Sequence, residues 1–178
     1  MINTPYILFE QALNKEFCEF VLADTVFDDA DEAKVDSNNG SIKDEESRIT
    51  DLVWEELYTP IGCVLQAYLA KANEVWSYHV HRMEKIQMSR YPVGGHYNWH
   101  MDSKAPVNNE QRKLSIVMLL NDDFEGGHLE LATNQGQNVL KSQGDIVVFP
   151  SFLNHRVHPV TKGTRYTAVS WAYGPTFR

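Results

Sequence analysis

The pair His100 and Asp102 is the first feature of the sequence with metal-binding chemistry. One residue separates the two, within the segment 97–102. In a β-strand, residues two apart point to the same face and lie roughly 6.6–6.8 Å apart along the backbone. An imidazole and a carboxylate placed in this way can bind a single ion. The pair is a weak signal by itself, because His-x-Asp also occurs often by chance.

A second histidine, His155, completes a donor set. It follows an apolar segment, residues 145–150, that predicts a buried strand, and it can reach across a small β-sandwich to the first pair. The competing ligand is His158, but in a strand residues 155 and 158 face opposite sides, so only one can point at the metal. Two histidines and one carboxylate on one face of a metal are the donors of non-haem Fe(II) sites, with open positions for other ligands. A structural zinc site would close four ligands, and Cys18 and Cys63 form no cluster for one.

Arg165 adds anion-binding chemistry. It lies ten residues after His155, on what should be the next strand. An arginine that points into an apolar barrel is costly unless it pairs with an anion. No acidic residue lies near it in this strand, so a bound carboxylate would serve as its partner through a two-pronged, charge-assisted hydrogen bond. The competing interpretation is a surface arginine at the start of a strand.

The N-terminal elements that support these residues are predicted to be helical. Asn14 precedes apolar residues between positions 17 and 22, a pattern that predicts a capped amphipathic helix. Residues 27–48 are acidic and rich in turn residues, and they predict a long loop or flap. A second helix is predicted from Thr50 to about Ala72, with a kink or break at Pro60.

From about Trp76 the hydrophobic period changes from that of a helix to that of a strand. Short predicted strands separated by Gly, Asn and Asp turns indicate an all-β sandwich or barrel. The sequence therefore predicts a mainly β protein with N-terminal helices. It predicts one domain, residues 1–178, in which residues 1–75 form the helical support and acidic flap and residues 76–178 form the catalytic β-core.

Composition is that of an ordinary globular protein. Hydrophobic residues are 43% and charged residues 22% of the 178, and no apolar run approaches the ~20 residues of a membrane helix. The net charge of -8 argues against a nucleic-acid partner. We expect no secretory signal, because no basic region precedes an apolar stretch at the N-terminus. Both cysteines are expected to be buried free thiols, so a cytoplasmic location is the expectation.

Three blocks of sequence, read together, resemble a known family. Residues 91–102 read Tyr-x-x-Gly-x-x-Tyr-x-x-His-x-Asp, residues 119–127 contain Leu-Asn followed by Gly-Gly, and residues 144–165 contain the second histidine and the arginine. The blocks resemble the iron and 2-oxoglutarate dioxygenases of the prolyl 4-hydroxylase-like branch, from about Ile86 to Trp171. Residues 149–157 especially resemble the bacterial PKHD-type hydroxylases.

The resemblance implies a double-stranded β-helix, or jelly roll, as the core. It implies that His100, Asp102 and His155 bind Fe(II), and that Arg165 binds the distal carboxylate of 2-oxoglutarate. It also implies that the hydroxyl of Tyr91 contacts this cosubstrate.

Three further positions align with the family pattern, and a fourth candidate, His128, follows the two glycines at 126 and 127. Trp171 matches an aromatic residue that packs beside the metal, and His128 is either a strand residue or a residue at the pocket mouth, so both are candidate pocket residues. Leu119 stands where some relatives carry a cosubstrate-binding Tyr, and Val169 stands where some carry a Thr. We therefore leave Leu119 and Val169 out of the predicted site.

The resemblance implies hydroxylation of an unactivated C–H bond, with prolyl or another side chain of a protein or peptide as substrate. O2 would be consumed, succinate and CO2 released, and ascorbate would be the reductant. The alternatives are an oxygenase acting on a free amino acid or other small molecule, a non-catalytic jelly-roll module that binds a metal or ligand, a hydrolytic metalloenzyme, and an oxygenase of nucleobases. No membrane partner is expected, and nothing in the sequence indicates an oligomeric state.

Overall fold

A computed structural model of the protein describes residues 4–27, 30–32, 35–37, 40–42, 44, 46–133 and 138–177. The helices of these residues are α1 (Lys15–Asp24) and α2 (Pro60–Trp76). Their strands are β1 (Ile7–Phe9), β2 (Asp31–Glu32), β3 (Val35–Ser37), β4 (Gly40–Ile42), β5 (Arg48–Ile49), β6 (Asp51–Glu55), β7 (Arg82–Met83), β8 (Ile86–Tyr91), β9 (His96–His100), β10 (Glu110–Leu119), β11 (Glu125–Gly126), β12 (Leu129–Leu131), β13 (Ile146–Pro150), β14 (His155–Val157), β15 (Val160–Lys162) and β16 (Arg165–Pro175).

Two antiparallel sheets form the core. The major sheet has the order β1-β13-β10-β16-β8-β6-β2, with β7 paired to β16, and the minor sheet has the order β12-β14-β9-β5. The ribbons β11-β15 and β3-β4 lie outside these sheets. The architecture confirms the predicted jelly roll, mainly β with helices.

Strand β10 shows why the central segments of the sequence are continuously apolar. Ile116 and Met118 belong to the cluster that packs against the helices, whereas Val117 and Leu119 belong to the cluster between the two sheets. Both faces of the strand are therefore buried, so neither face carries the polar residues of a half-solvated strand. The space between the sheets is the interior of the jelly roll.

Helix α1 begins as the sequence predicts. The side-chain oxygen of Asn14 accepts a hydrogen bond from the backbone N–H of Phe17 at 3.0 Å. Cys18 on this helix is fully buried, as expected of a structural free thiol. Cys63 on α2 is exposed, so the prediction that both thiols are buried was wrong for this one.

The predicted helix from Thr50 to about Ala72 was wrong over residues 50–59. Residues Asp51–Glu55 form β6, which pairs with β8 along its whole length. The helix begins only at Pro60 and ends at Trp76. Proline favours the first helical position because its fixed φ suits the helix and its missing N–H has no partner there in any case.

The segment 27–48 was predicted to be a loop or flap, and its described parts contain strands instead. Strand β2 pairs with β6 of the major sheet, and β5 pairs with β9 of the minor sheet. The other part of that prediction, a lid over the site, falls in part on residues outside the described ones and stays a prediction. The division at residue 75 does not separate helices from sheet, because β1, β5 and β6 precede it. Within the described residues, no helix combines the length and the apolar character needed to cross a bilayer.

Candidate metal centre

Three potential metal ligands meet at the end of β9 and the start of β14. His100 is the last residue of β9, Asp102 follows it, and His155 is the first residue of β14. The two strands are antiparallel neighbours, and the register places His155 directly opposite His100. Because opposite residues of such a pair lie side by side, the pairing of two short strands is enough to bring both imidazoles to one place.

The donor atoms of the three residues are close enough to share one ion. All lie within 4.8 Å of one another. Nε2 of His100 is 3.7 Å from Oδ1 of Asp102, and Nε2 of His155 is 3.5 Å from Oδ2 of the same carboxylate. His100, Asp102 and His155 are therefore called the triad below. A 2-His-1-carboxylate set of this kind is typical of non-haem Fe(II) sites, and it leaves open positions for other ligands.

Backbone carbonyls orient both imidazoles. Nδ1 of His100 lies 2.8 Å from the carbonyl oxygen of Asn98, and Nδ1 of His155 lies 3.0 Å from that of Leu153. A carbonyl only accepts hydrogen bonds, so in each ring Nδ1 carries the proton and Nε2 keeps its lone pair. This arrangement is the usual way in which proteins fix the tautomer of a ligating histidine.

The carboxylate of Asp102 is also held in place. Oγ of Ser115 on β10 donates a hydrogen bond to Oδ2 at 2.7 Å, and Oγ of Ser151 lies 2.9 Å from Oγ of Ser115. The indole N–H of Trp171 has no hydrogen-bond partner among the described residues, yet it lies near enough to help lower the pKa of Asp102. The major sheet thus supports a ligand that the minor sheet presents.

The protonation states suit metal binding. Burial, followed by the charge of His155, lowers the pKa of His100 to about 3. Burial by itself raises the pKa of Asp102, but the neighbouring His155 and His100 and the hydrogen bond from Ser115 outweigh it, so the net pKa is lowered. At neutral pH, His100 and Asp102 therefore offer lone pairs to a cation without first losing a proton.

Arg165 lies inside the jelly roll rather than on its surface. It begins β16, is 2% exposed, and stands opposite Tyr91 on β8. Its guanidinium carbon is 5.3 Å from the centroid of the Tyr91 ring. Among the described residues no carboxylate forms an ion pair with it. Burial lowers the pKa of Arg165 to about 10, so the side chain is still a cation at neutral pH. A buried cation with no acidic partner calls for an anion from outside the chain.

Gly127 makes room for this arginine, a role that the sequence did not indicate. Its φ is +60°, and a Cβ built on it would lie 2.8 Å from Cγ2 of Val160 and 3.0 Å from Cδ of Arg165. Its neighbour Gly126 also has a positive φ, +75°. The close approach of Arg165 depends on long-range packing that no local pattern reports.

Three other positions considered in the sequence lie in the apolar interior between the sheets. Trp171 is 5% exposed and lies in the inner cluster, with the Arg112 guanidinium 3.9 Å from its ring centroid. Leu119 and Val169, left out of the predicted site, lie in the same inner cluster as apolar lining. They offer no hydrogen bond to a ligand.

The competing histidine is engaged elsewhere. Nε2 of His158 lies 2.7 Å from a carboxylate oxygen of Glu130, and the ring of His128 stacks on His158 at 3.7 Å. Neither histidine belongs to the triad. The choice of His155 over His158 thus agrees with the geometry. His128 lies against another histidine, so its predicted place at the pocket mouth stays a prediction.

A second arginine near the triad was missed. Arg48 was placed in the flap, but it lies on β5 and its guanidinium carbon is 4.4 Å from the ring centroid of Tyr97. The Tyr97 ring stacks in turn on His100 at 3.5 Å. The only signal available in the sequence was the basic residue itself within an acidic segment.

Comparison with known proteins gives the same family. A model of the 2OG-Fe(II) oxygenase superfamily matches residues 86–173. A PKHD-type hydroxylase of Idiomarina loihiensis is 36% identical over 93 residues, which cover 51% of this chain and 42% of the relative. A PKHD-type hydroxylase of Thermosynechococcus vestitus is 40% identical over 92 residues, which cover 48% of this chain and 41% of the relative. The matches span less than half the length of these curated relatives.

Solved structures agree on the fold over nearly the whole chain. A Pseudomonas putida prolyl-4-hydroxylase superposes with a TM-score of 0.71 at 20% identity, covering 96% of this chain and 92% of that one. The viral collagen prolyl hydroxylase of Paramecium bursaria Chlorella virus-1 superposes with a TM-score of 0.70 at 17% identity, covering 97% of each. Residues 86–173, just under half of this chain, thus match the 2OG-Fe(II) oxygenase superfamily, the 2-His-1-carboxylate triad lies within a fold of that kind, and the fold is prolyl 4-hydroxylase-like.

Proposed function

We propose that the protein is a hydroxylase that inserts one oxygen atom of O2 into an unactivated C–H bond of a substrate. The other oxygen atom enters 2-oxoglutarate, which leaves as succinate and CO2. Relatives named as prolyl hydroxylases, one of them in complex with a peptide fragment, favour a prolyl or other side chain of a protein or peptide. Ascorbate is proposed as the reductant, and the cytoplasm as the location.

The observation that carries the proposal is the triad together with Arg165. His100, Asp102 and His155 would hold Fe(II) on one face. Arg165 would bind the distal carboxylate of 2-oxoglutarate through two parallel N–H···O bonds, with the Tyr91 ring beside it. A module that only binds a metal has no use for a buried, unpaired arginine in the same interior.

The chain's residues contribute orientation, charge and exclusion of water. When bound, Fe(II) with 2-oxoglutarate and O2 supplies the oxidising power that no side chain has. The carbonyls behind His100 and His155 hold the rings, and Ser115 holds the carboxylate of Asp102. The apolar inner cluster around them keeps water from the reacting carbon.

The experiment is incubation of the protein with Fe(II), 2-oxoglutarate, ascorbate and a peptide library, followed by mass spectrometry and assay of succinate. We expect a gain of one oxygen on a substrate and one succinate for each product, both abolished without O2. A matched set of free amino acids decides between a peptide and a small-molecule substrate. Product formation under anaerobic conditions would contradict the proposal and favour a hydrolytic enzyme.

A further inference from the structure

Arg48 is a buried arginine at the edge of the minor sheet. Strand β5 pairs with β9, and the register places Arg48 opposite Tyr97. Its side chain is 7% exposed, although the strand that carries it is only two residues long. A long cationic side chain is seldom buried to this degree unless its charge has a partner.

An anionic partner is missing among the described residues. None of their carboxylates forms an ion pair with Arg48, and its buried Nε has no hydrogen-bond acceptor. By contrast, the partly buried Arg112 donates to Glu84 at 2.7 Å, and the partly buried Arg156 donates to Glu130 at 2.6 Å. A buried charge without an anionic partner is costly, so Arg48 calls for an anion as Arg165 does.

Arg48 lies over a different aromatic ring from the one beside Arg165, so we assign its anion to a molecule other than the cosubstrate. The guanidinium lies over Tyr97, and Tyr97 lies over His100 with an angle of 16° between the rings. Arg48 is therefore one aromatic ring away from the triad. In the proposed function 2-oxoglutarate uses one carboxylate at the metal and the other at Arg165. A third anion site beside the metal is left for a different molecule.

We propose that the substrate to be hydroxylated carries a carboxylate that binds Arg48. The inference rests on the proposed function and adds to it the chemical class of the substrate. Nε and the adjacent Nη of a guanidinium form a fork that matches the two oxygens of a carboxylate. The carboxylate is either the side chain of Asp or Glu in a peptide or the α-carboxylate of a free amino acid.

The test compares substrates that differ only in this charge. Peptides with Asp or Glu beside a proline are paired with the same peptides containing Asn or Gln, and free L-proline is paired with L-prolinamide. Binding is measured by calorimetry on the protein loaded with Zn(II) and 2-oxoglutarate, and turnover by succinate release with Fe(II). We expect the acidic member of one set to bind about tenfold to a hundredfold more tightly, because hydrogen bonds between charged groups are the strong ones.

Arg48→Met should reduce the ratio of the two affinities, acidic member to amide member, to about one. It should leave the affinities for Zn(II) and 2-oxoglutarate unchanged. Arg48→Lys should keep part of the preference and serves as the second variant should the first not fold. Arg156→Met is the matched control, because Arg156 also lies over an aromatic ring, Trp99 at 4.8 Å, but is already paired with Glu130. Its ratio should equal that of the wild type.

Two results would overturn the inference. One is equal binding of the acidic and amide members by the wild-type protein, and the other is an acidic preference that survives in Arg48→Met. Failure of the proposed function looks different, since the preference in binding would then persist while no peptide or amino acid yields succinate.

Discussion

At the scale of single residues, the site depends on groups that hold the ligands as much as on the ligands themselves. The imidazoles are fixed by carbonyls two residues before them in the chain, whereas the carboxylate of Asp102 is fixed from another sheet by Ser115. The sequence could indicate the ligands, because donor type and spacing are local. It could not indicate Ser115 or Arg48, whose roles arise only from tertiary contacts.

Ser115→Ala is predicted to weaken metal binding about tenfold to a hundredfold, the usual effect of removing such a supporting bond. The carboxylate of Asp102 would lose the hydrogen bond at 2.7 Å that orients it. Ser170→Ala is the matched control, because Ser170 is also buried and its Oγ donates to the backbone oxygen of Glu84. Titration with Mn(II) by calorimetry should separate the two variants, and equal losses would show that Ser115 acts only on stability.

Arg165→Ala is predicted to raise the dissociation constant of 2-oxoglutarate about a hundredfold and to leave metal affinity nearly intact. Among the described residues no hydrogen bond or ion pair joins Arg165 to the triad, and its loss removes both prongs of a charge-assisted contact. Arg165→Lys keeps the charge but loses the forked geometry. Its dissociation constant for 2-oxoglutarate should therefore lie between those of the wild type and Arg165→Ala. Calorimetric titrations of metal and of 2-oxoglutarate check this, and a collapse of metal binding alone would show that Arg165 has been given the wrong role.

At the scale of elements, the predictions were correct where an N-cap residue or an apolar pattern determines the element. Asn14 and the apolar spacing after it predicted α1, and the apolar strands predicted the core. The segment 51–55 was read as helix because Leu52, Val53 and Leu57 share a helical spacing with the real helix that follows Pro60. The segment pairs with β8 instead of forming a helix. Pairing between segments that are distant in sequence produces no periodic pattern from which it could be predicted.

Gly127, the residue after β11, gives a prediction at the scale of elements. Gly127→Ala should lower 2-oxoglutarate affinity, because its Cβ would press on Cδ of Arg165. Gly94→Ala is the control: its φ is +83° and nothing lies within 4 Å of the added Cβ. Both variants should lose about 1–2 kcal/mol of stability from the left-handed backbone. Urea unfolding and 2-oxoglutarate titration together test whether the loss of affinity is confined to Gly127→Ala.

At the scale of the whole molecule, burial of the triad couples folding to pH. His100 has a pKa of about 3 when folded against about 6.5 when unfolded, so between these values the unfolded chain binds a proton that the folded chain does not. Stability of the metal-free protein should therefore fall as pH falls from 6.5 toward 3. The lowered pKa of Asp102 acts in the same direction at the acid end of this range.

The measurement is urea unfolding of the chelator-treated protein between pH 4.5 and 6.5, with His100→Gln as the comparison. The slope due to His100 approaches about 1.4 kcal/mol per pH unit, the value for one proton. In His100→Gln the decline should be shallower by that amount. Identical slopes in the two proteins would mean that His100 is accessible to protons in the folded state.

Residues of both sheets form the ligand site. The last prediction concerns how a ligand bound there would affect stability. Strands β9 and β14 of the minor sheet present the two histidines, Asp102 lies two residues after β9, and β16 of the major sheet presents Arg165. A 2-oxoglutarate molecule bound to both metal and Arg165 would join the sheets, so its effect on stability should depend on the metal. A ligand at a hundred times its dissociation constant adds about 2.7 kcal/mol, or about 5–10 °C in Tm for a chain of this size.

We expect Mn(II) alone to raise Tm, 2-oxoglutarate alone to change it little, and the two together to raise it further. Arg165→Ala should keep the increment from Mn(II) and lose the one from 2-oxoglutarate, whereas Asp102→Ala should lose both. Scanning calorimetry of the three proteins with each ligand combination distinguishes these cases. A 2-oxoglutarate increment that persists in Arg165→Ala would place the cosubstrate on the metal alone, and the two sheets would then not be joined through it.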